Sequence, residues 1–328
     1  MGRHVAGDLP ELDRLVDEAC AEIGREIEAL RVPRLAGVVL GGGYGRGEGG
    51  AREGGSLSND LDFFVVTEEG ASEAESVASI GAAIEPVAKK WTGRLGVDVD
   101  FAVKTPWRLR HDEERIMVQE LVRGYCDVAG EKGERLFAGI RRIDAAEIPW
   151  MEAARLLMNR GMGLLLAKLK VESLKFKVDA RLADVGFIAR NINKCILGAG
   201  DAFLVSRELY RWRAEDRAAA MAEQGGDGLY ARAVEWKFRP REEPVCDWET
   251  ARGAWLDGYG KVVAAADGCG SRRTLRNAAR WLVRRRSVGD LRTFALDPVV
   301  RVLAEVERHV RTGTAPGDSL MRDWKVFN

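Results

Sequence analysis

The sequence has few of the residues that build disulfide frameworks and zinc sites. Five cysteines are spread over 328 residues, and no two of them form a Cys-x-x-Cys pair. The three histidines are equally scattered along the chain. These spacings indicate neither a disulfide framework, nor a zinc knuckle, nor a histidine-based catalytic triad. We therefore expect reduced, buried thiols in a cytoplasmic protein.

An excess of charge of one sign and a long hydrophobic run are also missing. Lys+Arg and Asp+Glu both number 51, so net charge gives no reason to expect a nucleic-acid or membrane partner. The first residues lack the apolar run of a signal peptide. The longest apolar stretches fall short of the roughly 18 residues that a membrane span needs. We expect no membrane partner, and the sequence carries no signal for an oligomeric state.

The patterns that are present change character near residue 145. Before that point, helical and strand patterns are mixed, with helices predicted at 10–31, 71–91 and 111–124 and strands at 36–41, 61–67, 96–104 and 125–128. After it, only helical periodicity is found, at 150–170, 179–198, 201–223, 247–267, 272–286 and 298–311. The sequence therefore predicts an α+β protein, with a small mixed-sheet domain over residues 1–145 and an all-α domain over residues 146–328.

A glycine-rich segment joins the first two predicted strands. Nine glycines lie between Gly41 and Gly55, and the segment ends at Asp60 and Asp62, which flank one leucine. Because glycine has no Cβ, such a backbone can approach a phosphate closely and present its N–H groups. The pattern favours a site that holds a phosphate beside a carboxylate pair.

The glycine segment has three other interpretations. The dinucleotide fingerprint G-x-G-x-x-G occurs at Gly45, Gly47 and Gly50, but that fingerprint must open into a helix, and further glycines and turn residues follow here. A Walker loop is excluded because no Gly-Lys-[Ser/Thr] follows. A flexible surface loop that ends in solvated acids stays open as the structural alternative.

A second carboxylate pair argues against the surface-loop interpretation. Asp98 and Asp100 have the same spacing in the next predicted strand as Asp60 and Asp62. Side chains two residues apart share one face of a strand, so adjacent strands would bring three or four carboxylates together. Their repulsion raises the pKa of at least one member, and a bound divalent cation relieves it. Ligands that are all oxygen atoms indicate Mg²⁺ or Mn²⁺ rather than zinc.

These motifs resemble the signature of the polymerase-β-like nucleotidyltransferase superfamily, as it occurs in bacterial proteins with a helical C-terminal domain. The family pattern is an apolar strand, Gly-[Gly/Ser], a short helix or turn, Asp-apolar-[Asp/Glu], and a third acid on a later strand. Residues 42–48 look like the first element, and residues 60–62 look like the second. The gap between them is longer than usual, and Gly43 replaces a serine that many members have. The resemblance covers about residues 35–130.

The resemblance implies metal-dependent transfer of a nucleoside monophosphate from an NTP, with ATP expected, to an acceptor hydroxyl. Asp60 and Asp62 would bind both ions of a two-metal site, with Mg²⁺ (or Mn²⁺) as the metal. Asp100, preferred to Asp98, would complete a metal site and help to deprotonate the acceptor. The backbone of Gly42 and Gly43 would hold the phosphates.

Basic residues could complete such a site. Arg46 could stabilise charge on the triphosphate, or it could be a solvated loop arginine. Lys194, on an apolar helix, could reach the triphosphate or be an ordinary surface lysine. A structural role is favoured for Lys237, which is another candidate. Asp201 follows Gly200, and this position predicts a helix N-cap.

The acceptor is not defined by the sequence and could be a small molecule or a macromolecule. Seven arginines between Arg272 and Arg286 could hold a nucleic-acid backbone, but a solvated basic helix face is favoured. Two hypotheses compete with nucleotide transfer. One is a catalytically inactive nucleotidyltransferase-like domain that acts as a binding or regulatory module. The other is a dinucleotide-dependent oxidoreductase, which requires a helix that begins at residues 47–50.

Overall fold

A computed structural model describes residues 2–174, 182–268 and 298–326 of the chain. The chain divides into two compact units. The first unit consists of Met1–Ile143 and Lys237–Pro240, and the second of Asp144–Trp236 and Arg241–Asn328. The protein combines a small mixed sheet with many helices, which agrees with the predicted α+β class. Lys237–Pro240 belong to the first unit although they lie within residues 146–328, because contacts with residues far earlier in the chain leave no local sequence pattern.

The first unit is built around a four-stranded sheet with the order β5-β4-β1-β6. Its elements, in chain order, are α1 (Pro10–Leu30), β1 (Leu35–Leu40), α2 (Gly42–Gly45), β2 (Ala51–Arg52), β3 (Ser56–Leu57), β4 (Leu61–Thr67), α3 (Glu73–Leu95), β5 (Val99–Lys104), α4 (Pro106–His111), α5 (Ile116–Leu121), β6 (Cys126–Gly130) and α6 (Gly133–Leu136). Strands β4 and β5 are parallel, whereas β1 is antiparallel to both β4 and β6. Strands β2 and β3 form a separate short hairpin.

Apolar residues cover both faces of this sheet. Val38 belongs to a core that includes Ile23 of α1 and Ile84 of α3. Its neighbour Val39 belongs to a second core with Leu121 of α5. Successive strand residues point to opposite faces, so these near-continuous apolar runs are what a sheet covered on both sides requires.

The predicted helix at residues 111–124 is wrong in its bounds. The chain instead forms α4, which starts at Pro106, and then the separate α5. Thr105 accepts a hydrogen bond from Arg108 N at 3.1 Å and so caps α4. A threonine cap followed by proline at the first helical position is a start signal, because proline lacks only an N–H that the helix does not need there.

Within its described residues the second unit is helical. Its elements are a 3-10 turn (Ala145–Glu147), α7 (Trp150–Leu174), α8 (Leu182–Ser206), α9 (Ala214–Glu223), α10 (Leu229–Phe238), α11 (Trp248–Gly268), α12 (Pro298–Thr312) and α13 (Asp318–Lys325). The last two residues of α10 belong to the first unit. The arginine-rich segment at residues 272–286 lies outside the described residues. None of the helices described is long and apolar enough to cross a membrane.

The predicted break between helices at residues 198–201 is also wrong. Helix α8 continues through Gly198 and Gly200 to Ser206. Both glycines are needed for packing, since a Cβ at either position would collide with the side chain of Arg160 or Tyr230. Asp201 is therefore not an N-cap. It lies inside the helix and pairs with Arg217 at 2.9 Å.

Candidate functional site

The parallel pairing of β4 and β5 places two of the predicted site carboxylates side by side. Asp62 and Asp100 are direct register partners, so their side chains leave the same face of neighbouring strands. Asp60 precedes the first residue of β4, and Leu61 N donates a hydrogen bond to Asp98 O at 2.8 Å. The expectation that these two strands adjoin is confirmed.

The acids at the starts of β4 and β5 form a carboxylate cluster. Burial raises the pKa of Asp100, and the charges of Asp60 and Asp98 raise it further. Asp62 is half-buried. In the described ranges, no group of three or more His, Cys, Asp or Glu side chains is already arranged as a metal site. The carboxylates are thus neighbours that repel one another, and a cation that bound here would have to draw them together.

The raised pKa of Asp100 predicts a pH-dependent cost in stability. An acid whose pKa is higher in the folded than in the unfolded protein opposes folding once it is ionised. We expect Asp100→Asn to raise the free energy of unfolding at pH 7. The gain should shrink as the pH falls and vanish below the ordinary aspartate pKa of about 3.9, where Asp100 is protonated in both states.

Urea unfolding at several pH values, without added metal, measures this effect. Asp8→Asn, at an exposed aspartate of the same unit, is the control and should leave stability nearly unchanged. A destabilised Asp100→Asn protein at pH 7 would show that Asp100 contributes favourable contacts instead of repulsion.

The first glycines of the loop lie directly against this carboxylate cluster. After β1, Gly41 N donates to Asp62 O at 2.8 Å, and the four-residue helix α2 begins at Gly42. Gly42 has φ +59°, and a Cβ there would collide with the carboxylate of Asp62. Gly43 O accepts a hydrogen bond from Glu48 N at 2.8 Å, which turns the chain back on itself. The glycine turn and the carboxylates therefore form one site.

Gly42 is required for two separate reasons, and one pair of variants separates them. Gly42→Ala should impose both a left-handed backbone on alanine, at about 1 kcal/mol, and a clash with Asp62. Gly54→Ala is the matched control, because Gly54 has φ +91° but a Cβ there would have nothing within 4 Å. Chemical denaturation should show a clearly larger loss for Gly42→Ala. Equal losses would mean that Asp62 moves away from residue 42 at no cost.

Tyr44 anchors the loop and was missed by the sequence analysis. It is fully buried, and its hydroxyl donates to Gly50 O at 2.8 Å and accepts from Ser58 N at 3.1 Å and Asn59 N at 3.4 Å. These bonds fix the residues that lead into Asp60. The surface-loop interpretation is therefore wrong for residues 41–50, which are mostly buried, whereas the hairpin residues 52–56 are exposed. A single aromatic residue within a run of glycines was the available signal.

A buried histidine supports the loop through a contact with Tyr44. His4 Nδ1 donates to the carbonyl oxygen of Tyr44 at 3.2 Å, and Nε2 pairs with Asp17 at 2.9 Å. Burial lowers the pKa of His4, but hydrogen bonds with the Cys126 thiol and Asp17 outweigh it and raise the pKa to about 9. His4 is therefore positively charged at neutral pH where it contacts the glycine turn.

Arg46 forms ion pairs with two acids and is not a solvated loop arginine. Its guanidinium lies 3.1 Å from Glu120 and 3.5 Å from Glu48. Glu48 is almost fully buried and also pairs with Lys237 at 2.9 Å. Sequence reasoning missed Glu48 altogether. The structural role favoured for Lys237 agrees with this contact.

Lys194 lies in α8 of the helical unit, whereas the carboxylates and glycines belong to the first unit. Its side chain is half-buried. Its neighbour Asn193 turns inward and donates to Ala189 O of the same helix at 2.8 Å.

The dinucleotide hypothesis lacks the element that it requires. After Gly50 the chain enters strand β2, so no helix opens at residues 47–50. The first two strands of the sheet, β1 and β4, are moreover antiparallel. A dinucleotide fold would need parallel strands joined by a crossover helix here.

Comparison with known proteins assigns no family to the chain. It is matched by no protein-family model and by no curated protein. The function must therefore be argued from the geometry of the site itself.

Proposed function

We propose that the protein is a metal-dependent nucleotidyltransferase of the polymerase-β-like type. It transfers a nucleoside monophosphate from an NTP, with ATP as the expected donor, to an acceptor hydroxyl and releases pyrophosphate. The sheet-containing first unit carries the chemistry. The acceptor is a small molecule or macromolecule that the site does not yet identify, and nucleic acid is not the favoured class.

One observation carries this proposal. Asp62 and Asp100 are register partners on parallel strands. Asp60 immediately precedes β4, the strand that carries Asp62. Gly42 packs against the carboxylate of Asp62. The charges of Asp60 and Asp98 raise the pKa of Asp100, which is the repulsion expected of clustered acids. A site that must bind a cation and a phosphate accounts for both the acids and the glycine beside them.

The donor set fits a hard divalent cation. Asp60, Asp62 and Asp100 offer only carboxylate oxygens, which suit Mg²⁺ or Mn²⁺. Such a cation, when bound, would neutralise phosphate charge and stabilise the oxygens of an in-line displacement. We assign Asp100, the register partner of Asp62, to complete a metal site and to help deprotonate the attacking hydroxyl.

The backbone of residues 42–43 supplies the phosphate side of the site. Without side chains, the backbone at Gly42 and Gly43 can approach a phosphate closely. Arg46 has a different role, since Glu48 and Glu120 already compensate its charge. We assign Arg46 to the support of the turn instead of to the triphosphate.

Nucleotide binding and pyrophosphate release test this function. Calorimetric titration with each of the four NTPs in the presence of Mg²⁺ should detect binding of at least one, and a chelator should abolish the Mg²⁺-dependent part. Pyrophosphate release should then appear with an acceptor from a panel of hydroxyl compounds. Failure of every NTP to bind with either Mg²⁺ or Mn²⁺ would contradict the proposal.

A second candidate is a catalytically inactive nucleotidyltransferase-like module that binds nucleotide for regulation. The pairing of Arg46 with two glutamates favours it, because a catalytic arginine is normally directed at the developing charge on the phosphates. NTP binding without pyrophosphate release across the whole acceptor panel would support this candidate.

A further inference from the structure

A cavity of about 490 Å³ lies within the helical unit. It is bordered by α8, α9, α10 and α11 and by the segment that leads into α10. All of its lining residues are described and belong to the second unit. A volume of this size matches the sites in which proteins bind small organic ligands.

Part of the cavity lining is apolar. Phe203 of α8 and Leu229 and Tyr230 of α10 contribute to it. The Tyr230 hydroxyl donates to Asp201 at 2.5 Å and accepts from Arg217 Nε at 3.3 Å. Because these buried bonds satisfy the hydroxyl and fix the side chain, Tyr230 presents a positioned ring to a ligand.

The charged residues that line the cavity are mostly acidic. They are Asp227, Asp257 and Lys261. Lys261 Nζ lies 2.7 Å from Asp257 and 5.4 Å from the centre of the Phe203 ring. An ammonium group is thus already held here between a carboxylate and an aromatic ring, a combination that favours cations.

Asp227 is the second acid and supplies the remaining charge. Its Oδ1 accepts a hydrogen bond from Leu229 N at 2.9 Å at the start of α10. No ion pair of Asp227 occurs within residues 2–174, 182–268 and 298–326. Since Asp257 and Lys261 compensate each other, the lining carries one net negative charge.

We propose that this cavity binds a small ligand that joins an aromatic ring to an ammonium group. The ring occupies the apolar part beside Phe203 and Tyr230, and the ammonium group lies near Asp227. An anionic compound of the same shape is repelled by the same acid. The inference is independent of nucleotide transfer, because every residue that it uses belongs to the helical unit.

Two glycines on α11 provide a matched pair of variants. Gly253 lines the cavity, and a Cβ there would have nothing within 4 Å, so a leucine would extend into free space. Gly260 is equally open but does not line the cavity. Both substitutions replace a glycine within a helix, so their effects on helix propensity are alike.

Calorimetric titration with 2-phenylethylamine and with phenylacetate, without NTP or metal, tests the proposal. The amine should bind and the carboxylate should bind at least about tenfold more weakly, which corresponds to about 1.4 kcal/mol. Gly253→Leu should weaken binding of the amine at least about tenfold, and Gly260→Leu less than about twofold. Asp227→Asn should reduce the preference for the amine, and asparagine can still accept the hydrogen bond from Leu229 N. Circular dichroism confirms that each variant is folded.

Equal binding of the two probes would overturn the proposal, as would no binding of the amine. The same conclusion follows if Gly253→Leu behaves like Gly260→Leu. Because the assay contains no nucleotide or metal, each of these outcomes leaves the nucleotidyltransferase proposal unaffected. Conversely, failure to bind NTP would leave the cavity proposal standing.

Discussion

Asp62→Asn is expected to lower the Mg²⁺ affinity of the ATP-bound protein by at least about 100-fold. Loss of groups that only orient a metal ligand already costs 10–100-fold, so loss of a ligand charge should reach the upper end or exceed it. Asparagine retains the size of the side chain and an oxygen donor but removes the negative charge. Isothermal titration with Mg²⁺ in the presence of ATP measures the effect directly.

Glu85→Gln is the matched control for this prediction. Glu85 is an exposed acid on α3 that pairs with Lys89, so its loss should leave Mg²⁺ affinity unchanged. The pair Asp98→Asn and Asp100→Asn identifies the third ligand, since only the true ligand should reproduce the loss. Full Mg²⁺ affinity in Asp62→Asn would remove Asp62 from the metal site.

Glu48→Gln is expected to lower the free energy of unfolding by about 3 kcal/mol, the usual scale for removing one partner of a buried ion pair. Glu48 is 1% exposed and lies between Arg46 and Lys237, whose side chains are themselves mostly buried. Without its charge, two cations would lie close together with less compensation. The loss should therefore be larger than for any single exposed ion pair of this chain.

Urea unfolding with Glu53→Gln as the control measures this cost, because Glu53 lies on the exposed hairpin tip. The double variant Glu48→Gln/Lys237→Met should be more stable than the sum of the single losses predicts. It also removes the Lys237 ammonium group, which the single variant Glu48→Gln leaves without the charge of Glu48. A loss below about 0.5 kcal/mol for Glu48→Gln, typical of a surface substitution, would contradict the assigned role.

The strands and the carboxylates on them could be predicted from the sequence. Alternation at residues 96–104 and the apolar runs around it indicate strands, and a period of two places acids two residues apart on one face. What local patterns could not supply was the pairing of β4 with β5. The match of Asp62 with Asp100 was a hypothesis until the register was known.

The supports of the site were not predictable, because they come from distant parts of the chain. Lys237 lies 189 residues after Glu48, and His4 reaches Tyr44 from 40 residues before it. No periodicity links such residues. A buried glutamate in a glycine-rich segment looks, from sequence alone, like a solvated loop residue.

Glycine was misinterpreted in one place for a related reason. Gly198 and Gly200 suggested a helix end, since glycine lowers helix propensity. The helix continues because the side chains of Arg160 and Tyr230 pack against those two glycines. Tertiary packing thus outweighs local preference there, and the packing partners cannot be read from neighbouring residues.

Paramagnetic line broadening by Mn²⁺ tests the central claim most directly, that Asp60, Asp62 and Asp100 share one divalent cation. With Mn²⁺ and an ATP analogue bound, backbone amide signals at residues 60–63 and 99–101 should broaden first in the NMR spectrum, together with those at residues 41–43. Signals at residues 85–89 of α3 should stay sharp. Broadening centred on Glu48 and Glu120, or broadening that persists unchanged in the Asp62→Asn/Asp100→Asn double variant, would contradict the account.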